Sequence, residues 1–247
     1  MPSQKQKNGS GKITIIEANS QQSFEFKIFH SLPVIFSFET KYIGLNQATD
    51  YHFPGYLTAA GFDIETTVPV FNSDKTFLQL GANPSFYSDT WSFTTDSFRL
   101  PLRAILIDRP NTTLFLVSGI AFYPDFEEKI YPLVGFIYKP NEKWVFNITS
   151  ENPNIIYSLN KKNELFIEAN AYLDEEFNTT KDSVKNTVLE FREISLGGGL
   201  RHKFNSCATT TFSVGQVINR VIKYKNSPDV IRINNGLYVE MKFNIKI

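Results

Sequence analysis

One cysteine, Cys207, occurs in 247 residues, so no disulfide forms within the chain and no cysteine-based zinc cage can be built. Histidine is almost as scarce, at 3 residues. No metal or cofactor is expected. Neither sign of charge is in excess: 25 basic residues face 25 acidic ones, which leaves no electrostatic footprint for nucleic acid or an anionic surface. No run of about 18 apolar residues occurs, which excludes a spanning helix. Helical periodicity is also missing, because no stretch of a dozen residues keeps an apolar period near 3.6 better than it keeps simple alternation. The opening "MPSQKQKNGSGK" has no apolar core of the kind a secretory signal carries.

What is abundant is aromatic: 23 Phe and 11 Tyr, residues favoured in strands and at membrane interfaces. The closing "NNGLYVEMKFNIKI" alternates strictly, with Leu237, Val239, Met241, Phe243, Ile245 and Ile247 apolar and the residues between them polar or amphipathic. A period of two means a strand with two unlike faces. The same pattern recurs along the chain. Strands are expected near 31–45, 59–71, 75–88, 94–107, 112–124, 129–139, 143–150, 154–160, 163–173, 186–204, 207–225 and 232–247. That is about 12, an even number, as bacterial outer-membrane barrels have. Residues 1–22 are expected to be a flexible polar leader, with one short strand possible in "KITIIEA", and 23–247 a single β-barrel domain.

The connections sort by parity. After even strands they are short ("NSD", "DRPN", "NEK", "KK", "NS"), and after odd strands they tend to be longer ("NQATDYHFPGYLT", "SDTWSFT", "DFEE", "DEEFNTTKDSVK"), with the connection around "SENP" an exception. Short turns on one rim and long loops on the other is the layout of a transmembrane barrel, whereas a soluble sheet gives alternation without that sorting. Aromatics toward strand ends, Tyr42, Phe86, Phe122, Tyr138 and Tyr224, are the expected interfacial girdle. Pro33, Pro69, Pro84, Pro101 and Pro132 fall inside expected strands and imply bulges or breaks. In "TFSVGQVINRVIKY" strict alternation puts Gln216 and Arg220 on the apolar face of Phe212, Val214, Ile218, Ile222 and Tyr224, unless a bulge moves them or Arg220 sits at the membrane boundary, where a charge costs little.

The segments "YPLVGFIYKPNEKWVFNI", "NIIYSLNKKNELFIEANAY", "EISLGGGLRHKFN" and "TTFSVGQVINRVIKY" resemble an uncharacterised family of outer-membrane β-barrels of Bacteroidota and related Gram-negative bacteria. The resemblance covers about residues 30–247. It implies location and fold alone, a barrel in the outer membrane with the lipid bilayer as partner, and carries no activity across; protein partners in a membrane assembly, identity unknown, are a further expectation. Both termini are then expected in the periplasm, with the numbered chain beginning after an export signal.

Charges on the inner face are the best candidates for function: Asp63, Glu65, Arg99, Arg103, Glu168, Glu193, Arg201, Lys203, Glu240 and Lys242. Their mixed signs favour an ion-pair network filling the lumen over the segregated charge of a selective pore. The expected role is therefore a narrow or plugged channel, or a structural or accessory subunit, and not an enzyme. A barrel hydrolase is the first alternative, because "HKFNS" offers His202, Asn205 and Ser206. A soluble β-rich binding protein is the second. His52 lies in a long loop, where contact with a ligand or partner is its most plausible role. Gly197, Gly198 and Gly199 lie within a strand pattern and signal close packing or a bend in the wall.

Overall fold

The computed structural model describes residues 4–5, 12–28, 32–48, 54–71, 73–91, 93–123, 129–150, 152–179, 187–205, 208–225, 230–233 and 235–246. The strands are β1 (Gln4–Lys5), β2 (Lys12–Ile28), β3 (Leu32–Ala48), β4 (Tyr56–Pro69), β5 (Thr76–Ala82), β6 (Ser85–Ser88), β7 (Phe98–Arg99), β8 (Leu102–Asp108) and β9 (Leu114–Phe122). They continue as β10 (Ile130–Tyr138), β11 (Trp144–Thr149), β12 (Asn154–Ser158), β13 (Asn163–Thr179), β14 (Thr187–Lys203), β15 (Ala208–Tyr224), β16 (Val230–Ile233) and β17 (Gly236–Lys246). Among the described residues there is no α-helix, only a 3-10 turn at Thr95–Ser97.

The chain is a closed β-barrel. Antiparallel pairing runs β2–β3–β4–β5–β8–β9 and on through β10, β11, β12, β13, β14, β15 and β17. β17 then closes the ring on β2 in parallel, through Ile245↔Gln22 and Lys246↔Ser23. A ring of up-and-down staves containing one parallel joint has an odd number of them, so the even count expected from sequence is corrected. The extra stave is β2. It takes in half of the expected leader, and it pairs with β3 along its whole length. As a result the wall starts on the long-loop rim at Lys12 and ends on the short-turn rim at Lys246, where an even count would have put both ends on one rim.

The prolines mark joints, as their missing N–H requires. Pro84 separates β5 from β6, and Pro101 separates β7 from β8. Their carbonyls carry the ladder across the breaks, with Phe62 N–H donating to Pro84 O at 3.0 Å and Asn83 N–H to Pro101 O at 2.9 Å. Pro69 ends β4, Pro33 sits at the start of β3, and Pro132 is third in β10.

The staves are unequal. β2, β3, β13, β14 and β15 have 17 residues each, whereas β8 to β12 have 5 to 9. Above the rim of the short staves the tall ones draw together. There β6 meets β13 directly, with Ser88 paired to Asn178 and Asp89 N–H donating to Asn178 O at 3.0 Å. The upper ring is thus reduced to β2, β3, β4, β6, β13, β14, β15 and β16, about the 8 staves whose interior side chains alone can fill. Ile43, Leu57, Phe177, Leu189, Phe191 and Ile222, each fully buried, fill it together with Ile15, Leu45, Ala59 and Ile233. Burial stabilises each large side chain by about 1.5–3 kcal/mol.

The bulge anticipated in β15 exists. Ile194 pairs with Asn219 while Ser195 pairs with Val217, leaving Ile218 extra. Beyond it the faces exchange. Phe212, Val214 and Ile218 point outward, while Arg220 and Ile222 are buried inside. Tyr224 packs against the apolar cluster, so it is not a girdle residue. Tyr42, Phe122 and Tyr138 keep exposed rings, and Phe86 packs against Phe93 and Phe98 at 5.2 and 5.3 Å.

The short-turn rim repeats one device. The side-chain oxygens of Asn111, Asn141 and Asn160 each accept backbone N–H groups two and three residues on, at 2.9–3.1 Å. Asn205 accepts from Ala208 N–H at 2.7 Å. Such Asx turns stand in for a backbone turn, and Asn111 is committed to one.

Candidate functional site: the charged lumen

Beneath the apolar ring lies a cavity of about 830 Å³. Its floor is set by adjacent staves β4, β5 and β8, on which Glu65, Gly81 and Arg103 lie side by side. A side chain at Gly81 would collide with the Arg103 arm. The glycine therefore lets the guanidinium lie across β5 and reach Asp63 at 2.9 Å and Glu65 beside it. Gln79 donates to Glu65 at 3.3 Å, and Gln21 to Glu39 at 2.6 Å. Next to them, Ile105 on β8, Ala121 on β9 and Leu133 on β10 continue the lining with Tyr123 and Tyr131, which meet edge to face at 5.4 Å.

Of the ten expected lumen charges, Asp63, Glu65, Arg103 and Lys242 line this cavity, and Glu39 joins them. The others are inward but dispersed. Glu240 holds Lys242 at 3.0 Å and accepts from Ser213 at 3.2 Å. Arg201 at 3.3 Å and Lys203 share Glu164 near the turn rim. Glu193 pairs with Arg220, which also faces Glu17 at 3.8 Å and packs against the Phe191 ring of the apolar cluster, 5.6 Å from its centre. Glu168 lies opposite Gly197. Arg99 is buried and donates to the carbonyls of Asp96 and Phe98 at 2.8 Å, outside the cavity.

Alternation did not single out Glu39, Glu164, Glu176 or Glu190. Glu176 and Glu190 are adjacent and buried near the loop rim, held by Lys225 at 3.3 Å and Lys223 at 2.6 Å. A register shift in β13 between Tyr172 and Glu175 sets their facing, and only a short mismatch in the alternation of "AYLDEEF" could have signalled it.

The glycine run serves close packing, as expected. Gly197, Gly215 and Tyr238 are side by side on β14, β15 and β17. Side chains at either glycine would strike the Tyr238 ring, which lies flat across both. His202 Nδ1 is 2.7 Å from Asn163 Oδ1, and its ring meets Phe204 edge to face at 4.8 Å. Ser206, Cys207 and His52 lie outside the described residues. Among the described residues no group of three potential metal ligands converges.

Fold and lumen together define a closed β-barrel with a two-level interior, apolar above and charged below. Compared with protein-family models, curated proteins and solved structures, the chain matches none.

Proposed function

We propose that this chain is a transmembrane barrel of the outer-membrane type, with a lumen closed to ions, acting as a structural or accessory subunit. The carrying observation is the outer surface. Phe26, Phe62, Leu80, Leu102, Leu116, Val134, Ile148, Ile167, Leu196, Val214 and Met241, on staves from β2 round to β17, are all exposed by more than 40%. Contiguous apolar surface on that scale marks an interaction surface, and hydrocarbon is the medium that covers a whole circumference. β11 and β12, at 6 and 5 residues, are shorter than the about 9–11 a crossing needs, so the bilayer has to thin beside them.

Closure follows from the apolar ring, since Phe177, Leu189 and Phe191 meet Ile43 and Leu57 from the facing wall. The lower cavity is then a blind vestibule. A barrel migrates differently on a detergent gel with and without boiling, and a fully soluble, heat-unmodified chain overturns the membrane reading. In planar bilayers the unmodified protein should show little conductance, and a large stable one overturns the closed reading. Orientation is tested at Cys207, which in sequence follows β14 and precedes β15, whose adjoining ends Lys203 and Ala208 are at the short-turn rim. An impermeant thiol reagent should label it only after the outer membrane is permeabilised.

A further inference from the structure

The wall is not equally closed all the way round. Apart from the single parallel bridge of β6 to β13, its other joints are antiparallel ladders, and the long ones between tall staves extend over most of both strands. The β2–β17 joint is parallel and has two residue pairs, both near the turn rim. Above them, Ala18–Gln21 pair with β3 on one side only, and Gly236–Asn244 pair with β15 on one side only. Residues 18–22 are exposed without alternation, as expected of a stave whose flank is uncovered. A cleft of about 280 Å³ opens there, lined from the two strands by Asn19, Ser20, Gln21, Lys242 and Asn244.

We propose that this seam takes up one extended segment of a partner polypeptide, inserted as a strand antiparallel to both β2 and β17. Two parallel strands with a gap between them are bridged by one strand running against both, which makes the joint antiparallel like the rest. The direction is already begun on this edge. β1 pairs antiparallel with the top of β2, Gln4↔Ile13 and Lys5↔Lys12, so an added strand below it continues an existing line. Open edges of this kind are templates for strand addition, and in hydrocarbon their unmet N–H and C=O groups carry a penalty that pairing removes.

The flanks specify the occupant's side chains. Outward neighbours on β17 are Leu237, Val239, Met241 and Phe243, all exposed, and inward neighbours are Glu240 and Lys242 beside Asn19 and Gln21. An alternating segment fits, apolar on the lipid side and uncharged polar on the lumen side, where both signs of charge are present. This does not depend on closure of the lumen, which conductance reports separately.

Hydrogen exchange on the full chain in detergent tests the seam. Without ligand, the seam-facing amides, every second one of 18–21 and of 237–244, should exchange on the order of tenfold faster than those of 209–217 in β15. The probe is a capped ten-residue peptide of alternating Thr and Val at ~0.1 mM, enough to fill a site of micromolar Kd. Its control has two central residues replaced by Pro, which cannot complete a ladder. Protection of both edges by the first peptide and of neither by the second is the expected result. Slow exchange without peptide means the seam is already zipped, and the proposal fails. Fast exchange that the peptide leaves unchanged, or protection of one edge alone, also overturns it.

Discussion

The upper and lower levels of the barrel use the same staves and the same alternation, yet they solve opposite problems. Around the level of Ser88 and Asn178 the walls are close enough for aliphatic and aromatic side chains to touch across the lumen, and Ile43, Leu57, Phe177 and Phe191 are sealed from solvent. Below, the short staves hold the walls apart, and the inner face is Asp63, Glu65, Arg103, Gln79 and Glu39 around a cavity. Ring size decides which chemistry is stable. A narrow ring dehydrates whatever it encloses, so charges survive there only in pairs such as Glu193 with Arg220. A wide ring keeps water beside its charges and tolerates an incomplete network.

That contrast is open to direct attack. Phe191→Ala should have the largest effect, destabilising the barrel by about 3–5 kcal/mol, measured by urea unfolding in detergent, and raising bilayer conductance. A truncation at Tyr123 on the lower wall should leave conductance low. Arg220→Met comes next, because it strands Glu193, whose side chain is 7% exposed, in the dehydrated level, at a cost of about 3–5 kcal/mol. Arg103→Met is its control. Asp63 and Glu65 stay partly hydrated (side-chain exposures 16% and 19%), so the loss in the same assay should be clearly smaller. Equal losses would mean that the two levels do not differ in hydration.

Glycine gaps are the next target. Gly197→Val should push Tyr238 off the wall and destabilise by about 1–3 kcal/mol. Adding Tyr238→Ala should recover part of that loss, which a purely backbone effect would not allow. The smallest effect is expected at the turn rim, where Asn141→Ala removes acceptors from Lys143 and Trp144 N–H. It should lower stability by about 0.5–1.5 kcal/mol and leave conductance untouched.

Alternation in the sequence was enough to locate each stave from β3 onward, to separate Phe62 and Ile64 from Asp63 and Glu65, and to sort turns from loops. It also put Asp63, Glu65, Arg103 and Lys242 among its candidates, and these four line the cavity, because a period of two is a local property that a few consecutive residues carry by themselves. It did not show which of those charges meet. Arg103 reaches Asp63 only because Gly81, on the intervening stave, leaves room for its arm, and that neighbourhood joins residues 40 positions apart. The polar composition of "ANSQQS" concealed β2, whose strand state rests on its ladder with β3 more than on its own alternation. Tertiary structure alone decided the odd number of staves, the contact of β6 with β13 that narrows the upper ring, and the bulge at Ile218 that turns Arg220 inward. Each of these depends on how a distant strand is registered against its neighbour, and a single extra residue there exchanges the two faces of everything that follows.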